Sequence, residues 1–398
     1  MMEPAAELLS RLASLLSESG VGVDRLTPRP RGGRLSVDPR REVEQALDAL
    51  GNEGQAQSSL VYGNGCFSVG RYAEAAAVYQ QVLGKEPRNI DAGFNLGLAY
   101  LRLRQTRQAA NEFTLVISQG VISQDSSLAE AYYQRGNAYD DMGDPGLALA
   151  DYAKAVAIKE DYLQAFYNRG VVLARLGRHT EAITDFDQVI ELSQSISNAY
   201  LNRGASLDEI GEHDQAISDY TAALACNPSN FDAFFNRART NYYLGRLEET
   251  VFDYSRVVEL SPEDAEAYNN RGLAFDALGQ YQEAMEDYAK ALEIRPDFAE
   301  ALSNRGAALE AMGNVDEALS DYLVALGTAP DFAAAHYNAA RLYSKSGDLD
   351  RCVHHLETAV RLAPQFRTEA EEDDNLGWVL KLGLLKRSRE GLMPEGEY

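Results

Sequence analysis

Six arginines, Arg135, Arg169, Arg203, Arg237, Arg271 and Arg305, are each followed sixteen residues later by an aspartate: Asp151, Asp185, Asp219, Asp253, Asp287 and Asp321. Where the arginine is missing the aspartate is missing too, and Val78, Glu112 and His355 stand in its place. A guanidinium and a carboxylate match as a bidentate ion pair. An arginine on a stripe that faces another helix needs such a partner, because an uncompensated charge is costly to bury. The spacing therefore predicts a structural Arg–Asp ladder and not a proton-transfer site. The other residues able to do chemistry form no pattern. The five histidines are scattered apart from a local group of His336, Cys352, His354 and His355. Adjacent residues on a helix point about 100° apart, so this group does not converge on a metal. Cys66, Cys226 and Cys352 are far apart and show no CxxC spacing, which argues against a disulfide framework or a zinc finger and for a reducing, cytoplasmic setting. There is no phosphate-cradling glycine loop, HExxH or nucleophile elbow. No catalytic residue, cofactor or metal is assigned, and an enzyme with an unrecognisable site is kept only as a third reading.

The elements that carry the ladder follow from its period. Asn-Arg-Gly recurs at Asn168, Asn202, Asn270 and Asn304 with a step of 34 residues. The glycine slot is Gly63, Gly97, Gly136, Gly170, Gly204, Ala238, Gly272, Gly306 and Ala340, with one longer interval of 39 between Gly97 and Gly136. Nine units cover residues 56–366. Within each, apolar residues fall on two helix-period stripes broken by a turn glycine, which predicts a helical hairpin. The unit from Ala265 to Phe298 has Tyr268, Gly272 and Phe275 on the first helix, Gly279 in the turn, Ala284, Tyr288 and Ala291 on the second, and then Pro296. A mid-helix glycine costs about 1 kcal/mol against alanine, so its recurrence implies close helix approach. Seven glycine units carry alanine twelve residues on, while the Ala238 and Ala340 units carry Thr250 and Cys352. Glycine slot and alanine slot are therefore expected to face each other.

These residues resemble the tetratricopeptide repeat family, whose unit has this length and this order of large residue, glycine, aromatic, alanine, aromatic, alanine and proline. Val121, Glu160 and Gln194 depart from it at the proline slot, and Asn241 at a slot usually aromatic or leucine. The resemblance implies an all-α, right-handed superhelical solenoid of about nine hairpins with capping helices. Residues 1–37 are expected to form a helix (Leu8, Leu12, Leu15, Leu16) and an arginine-rich mobile linker, residues 38–55 a capping helix begun at Asp38-Pro39, residues 367–390 a solvating last helix, and residues 391–398 a disordered tail.

Function then rests on surface. The chain has 398 residues, 45% hydrophobic and 25% charged, with a net charge of -24, which argues against nucleic acid or an anionic membrane surface as partner. No apolar run reaches membrane-spanning length, and the N-terminus has no secretory pattern. An organelle transit peptide stays open, with Glu3 and Glu7 against it. On the first helix of eight of the nine units, one turn from the packing stripe, stands an amide: Asn95, Gln134, Asn168, Asn202, Asn236, Asn270, Asn304 and Asn338. A row of amides suits an extended peptide backbone, and it looks like the asparagine ladder of peptide-binding helical repeat proteins. Phe94, Tyr133, Tyr167, Phe235 and Tyr337 add aromatic contacts, and acids including Asp140, Asp208, Asp276 and Glu310 make the wall negative. The expected ligand is a protein or peptide segment with basic and apolar residues, held by a non-catalytic scaffold or assembly adaptor. The alternative is a self-associating structural protein, a homo-oligomer joined through its N-terminal helix or array ends. The lysine and arginine clamp of chaperone-binding relatives has no counterpart at these wall positions.

Overall fold

A computed structural model describes residues 5–18, 39–50, 59–120 and 126–381. Every element among them is a helix, and none is a strand. The chain divides into two compact units, Met1–Ile210 and Gly211–Tyr398.

The first unit runs α1 (Ala5–Glu18), α2 (Pro39–Leu50), α3 (Leu60–Ser68), α4 (Tyr72–Lys85), α5 (Ile90–Arg102), α6 (Thr106–Gly120), α7 (Ser126–Asp141), α8 (Pro145–Ile158), α9 (Leu163–Arg175), α10 (His179–Leu192) and α11 (Ser197–Glu209). Consecutive helices pack as hairpins, α3 with α4 through α9 with α10. α1 and α2 close the start of the stack. Leu12 and Leu16 of α1 and Leu47 and Leu50 of α2 are fully buried in one core with Cys66. The linker expected before α2 lies outside the described residues, as does the longer interval over 121–125.

The second unit runs α12 (His213–Cys226), α13 (Phe231–Tyr243), α14 (Leu247–Leu260), α15 (Ala265–Ala277), α16 (Tyr281–Ile294), α17 (Ala299–Ala311), α18 (Val315–Thr328), α19 (Ala333–Ser346), α20 (Leu349–Leu362), α21 (Gln365–Glu372) and α22 (Gly377–Lys381). Its end differs from the single solvating helix expected over 367–390. Over the described residues there are two short helices joined at 373–376, with Ala370, Leu376 and Val379 buried against Tyr343 and Leu356. Asp373 accepts the amide of Asn375 on its side chain (2.7 Å) and that of Gly377 on its carbonyl (2.8 Å), so the acid that begins an Asp-Asp-Asn turn stops the helix. Residues 391–398 lie outside the described residues.

The recurring glycine has a more specific cause than the expected pairing of small residues. A Cβ on Gly272 would lie 2.7 Å from Cε1 of Tyr288, the aromatic sixteen residues on. The same ring covers Gly63 (Tyr79), Gly97 (Phe113), Gly136 (Tyr152), Gly170 (Phe186) and Gly306 (Tyr322). These six hairpins thus close with an aromatic ring against glycine backbone, where an added Cβ would push the ring away. The slot twelve residues on faces the first helix's backbone instead. Thr250 sits 3.4 Å from the Ala238 carbonyl and donates to the carbonyl of Arg246 at 2.8 Å. The turn after each first helix holds a left-handed glycine such as Gly279 (φ +73°), while one turn has Arg104 there, at φ 57°.

Five of the arginine–aspartate pairs form forked ion pairs on buried aspartates. Arg135 donates to Asp151 (2.7 and 2.8 Å), Arg169 to Asp185 (2.8 and 2.6 Å), Arg237 to Asp253 (2.8 and 2.7 Å), Arg271 to Asp287 (2.7 and 2.7 Å) and Arg305 to Asp321 (2.7 and 2.8 Å). Arg203 and Asp219, the sixth pair by spacing, belong to different units. The guanidinium also reaches back to the preceding hairpin: Arg237 donates to Thr221 (2.8 Å), Arg271 to Ser255 (3.1 Å) and Arg203 to Asp187 (2.6 Å). Aromatic rings three residues earlier, such as Phe234 and Tyr268, lie under the cation. Arg135, Arg237 and Arg271 are therefore rivets: one fork closes their own hairpin and the remaining donor holds the helix before it.

Candidate peptide-binding surface

The first helices that carry the glycine and the arginine also carry the amide and aromatic positions, and the aromatic rings pack in part on the second helix of their own hairpin. In the first unit these positions are on α5, α7, α9 and α11. Asn168 donates to the Tyr133 hydroxyl (3.1 Å) and to Asn137 (2.9 Å), and Asn202 donates to the Tyr167 hydroxyl (3.0 Å). Gln134 donates to Glu130 (2.8 Å) and accepts from Asn137 (3.3 Å). Asn95 is fully buried and donates to Asn64 (2.9 Å), which also takes the Tyr79 hydroxyl (2.8 Å). Tyr133 and Tyr167 are half-buried, with rings against Tyr152, Tyr162 and Phe186.

In the second unit the amides lie on α13, α15, α17 and α19. Asn304 donates to Asn269 (2.9 Å), Asn269 donates to Asn270 (3.2 Å), and Asn270 lies 3.4 Å from the Tyr254 hydroxyl. Asn236 and Asn338 are half-buried. Phe235 stacks on Phe231 and meets Tyr254 edge to face.

A rule runs through both units that sequence reasoning missed. The amide nitrogen is directed along the stack, toward the residue 35 positions earlier: Asn168 to Tyr133, Asn202 to Tyr167, Asn304 to Asn269. Asn168 commits both amide hydrogens within the protein, while Asn202 and Asn304 each keep one amide hydrogen and a carbonyl oxygen. Two aromatics expected on the wall belong to the core instead. Phe94 is fully buried against Phe113, and Tyr337 is covered by Phe366 of α21 with rings 4.8 Å apart.

The acids of the wall are not equivalent. Glu310 accepts from Arg341 and Lys345, both at 2.8 Å. Burial would raise its carboxyl, but these two cations outweigh burial and hold it below the usual range. Asp140 is paired with Arg175. Asp276 is half-buried, and burial pushes its carboxyl up. Tyr242 and Tyr243 stand beside this wall, 38% and 73% exposed.

The histidine group of the last hairpin turns inward. His336 and His355 meet through their Nδ1 atoms at 2.8 Å, and His336 Nε2 lies 3.1 Å from the Pro330 carbonyl. A neutral His336 that donates to this carbonyl accepts from the Nδ1–H of His355. Burial, with His336 next in effect, depresses His355 to about 4. Cys352 is fully buried.

Stacked helical hairpins of this period define a helical-repeat protein of the kind that serves as an interaction scaffold. The chain belongs to the tetratricopeptide repeat family. Its repeat profiles match residues 63–103, 133–195, 201–251, 238–279, 265–298 and 333–366. Among solved structures, a tetratricopeptide repeat protein from Parabacteroides merdae is 17% identical, with 64% of this chain and 98% of that chain covered and a TM-score of 0.49. Pseudomonas aeruginosa PilF is 19% identical over 53% and 97%, with a TM-score of 0.46. YrrB, a TPR protein with an unusual peptide-binding site, is 22% identical over 47% and 98%, with a TM-score of 0.39. No curated protein matches the chain.

Proposed function

We propose that this protein is a non-catalytic scaffold or assembly adaptor that holds a basic and apolar segment of a partner protein against the acidic, amide-lined wall of its first helices. The observation that carries this reading is the division of labour within each first helix. Glycine and arginine fix the hairpin, while other positions of the same helices hold half-buried amides, tyrosines and acids. An acidic row of acceptors suits a segment that brings donors and positive charge. The contact residues are Tyr133, Gln134, Tyr167, Asn168, Asn202, Phe235, Asn236, Asn270, Asn304 and Asn338, with buried Asn95 acting beneath the surface. The three cysteines, none of them in a disulfide, fit a reducing cytoplasm, and no helix among the described residues is long and apolar enough to cross a membrane.

The self-association reading is weakened by the burial of Leu12 and Leu16 within their own chain, which leaves α1 little apolar surface to offer a second copy. Affinity capture from the native lysate tests the proposal, comparing wild type with the combined Asn236→Ala, Asn270→Ala and Asn338→Ala variant after circular dichroism has confirmed folding. Partners that bind wild type and are lost with the variant support the wall. Retention of the same partners, or recovery of the protein alone, sinks it.

A further inference from the structure

One acid of the wall lacks what its equivalents have. Thirty-four residues separate Asp276 from Glu310, and the same step separates Ala307 from Arg341 and Ala311 from Lys345. Glu310 is gripped by Arg341 and Lys345 from the next first helix. At the positions equivalent to Arg341 and Lys345 the next first helix carries only alanine, Ala307 and Ala311. Among the described residues the Asp276 carboxylate has no ion pair or hydrogen bond, and burial alone acts on it.

A second group points into the same slot. Tyr288 is fully buried, yet its hydroxyl has no hydrogen-bond partner among the described residues. The equivalent hydroxyl of Tyr322 lies 3.5 Å from Glu310, and that of Tyr152 donates to Asn137 at 2.8 Å. Tyr288 and Asp276 each stand 34 residues before Tyr322 and Glu310, and Tyr242 stands at the position of Asp276 one repeat earlier, in keeping with the charge of Asp276 acting on both tyrosines. An unpaired buried hydroxyl and an unpaired half-buried carboxylate are both costly. Tyr242, 38% exposed, forms an aromatic flank able to pack the stem of a long side chain.

We infer that Asp276, Tyr288 and Tyr242 form a socket for one lysine or arginine side chain of a partner protein segment, which takes the place that Arg341 and Lys345 occupy beside Glu310. The carboxylate accepts from the cation, the tyrosine ring lies along its stem, and the truncated Ala307 and Ala311 leave the room. The inference rests on the wall being a peptide site and adds where its basic residue goes.

The test uses the full chain and a displayed library of random short peptides, with the selected peptides resynthesised and their affinities measured by fluorescence anisotropy. Wild type is expected to select peptides with lysine or arginine at one fixed position. Replacing that residue by norleucine, or Asp276 by Asn, should weaken binding by about tenfold or more, the range of one charge-assisted hydrogen bond. A second variant, Ala307→Arg with Ala311→Lys, fills the socket from within as in the next repeat. It should stay folded and lose the same peptides. Peptides that bind the wall but are indifferent to both Asp276→Asn and the filled socket overturn this inference and leave the scaffold reading standing. Failure to select any peptide sensitive to the wall variants overturns both.

Discussion

Arg104 is the one residue other than glycine at positive φ among the described residues, at 57°, where the other hairpins have glycine between 72° and 88°. The turn it makes is intact: the Arg104 amide donates to the Leu101 carbonyl (3.0 Å) and that of Gln105 to the Tyr100 carbonyl (2.8 Å). The side chain is exposed and takes part in no ion pair with a described residue, so Arg104→Gly removes little except backbone strain. A residue with a Cβ in the left-handed region costs roughly 1–2 kcal/mol. The greater freedom of glycine in the unfolded chain offsets roughly 0.4–1 kcal/mol of that, which leaves a net gain of about 0.5–1 kcal/mol for α5 and α6. Stacked repeats do not melt as one two-state unit, so the gain should be read locally, as slower hydrogen exchange of the α5 and α6 amides, together with a thermal transition raised by about 2 °C. The reciprocal Gly279→Arg meets open space, with nothing within 4 Å of the added Cβ and φ +73°, and should cost about 1 kcal/mol through strain alone. If Arg104→Gly fails to raise protection while Gly279→Arg is neutral, the turn is not under backbone strain and the argument fails.

Three further outcomes follow from the same geometry. Leu12→Ala, which truncates a fully buried side chain, should cost about 2–5 kcal/mol and expose the first hairpin, seen as faster exchange in α2 and α3. Asp287→Lys puts a second cation against Arg271, whose partner Asp287 is 5% exposed, and should lower stability by about 3 kcal/mol or more; an unchanged denaturation midpoint would show that the rivet is not structural. Acid should loosen the last hairpin first. The folded chain keeps His336 below its ordinary value and His355 at about 4, so the unfolded chain binds protons earlier, and stability is present above the ordinary histidine value near 6.5 and is lost as pH falls toward 4. The His355 contribution is on the order of 3 kcal/mol, and His355→Phe should flatten the pH dependence of α19 and α20 exchange.

The hairpins and the Arg–Asp ladder were legible because both depend on spacings within one repeat. Gly272 and Tyr288 lie sixteen residues apart, as do Arg271 and Asp287, so a single period holds both partners. What glycine was meeting could not be read, since alanine at twelve and an aromatic at sixteen recur together and only coordinates show the ring on the backbone. The direction of the wall amides was hidden for a related reason. Asn168 is bonded to Tyr133 in the preceding repeat, and an amide drawn on its own helix gives no sign of whether its hydrogens point along the stack or out of it. The end of the array escaped because the acids of 371–374 suit both a helix start and a turn, and burial of Leu376 selects the turn.

The socket, in contrast, is written in the sequence once the comparison is made across repeats and not within one. An acid four residues after the glycine slot is satisfied from the next repeat, by a cation at the first or the fifth residue after its own glycine slot: Glu310 by Arg341 and Lys345, Asp140 by Arg175. For Asp276 those positions of the next repeat are Ala307 and Ala311. An array of near-identical units offers a built-in control that a single-copy fold lacks. Each repeat shows what its neighbour's slot does when filled, so a slot with an acid, an unpaired buried hydroxyl and no cation marks where a ligand must bring the charge. The same comparison separates residues that hold the stack from those that meet a partner: a structural pair recurs with both members present, as Arg271 and Asp287 do, whereas a binding position keeps one member and waits for the other.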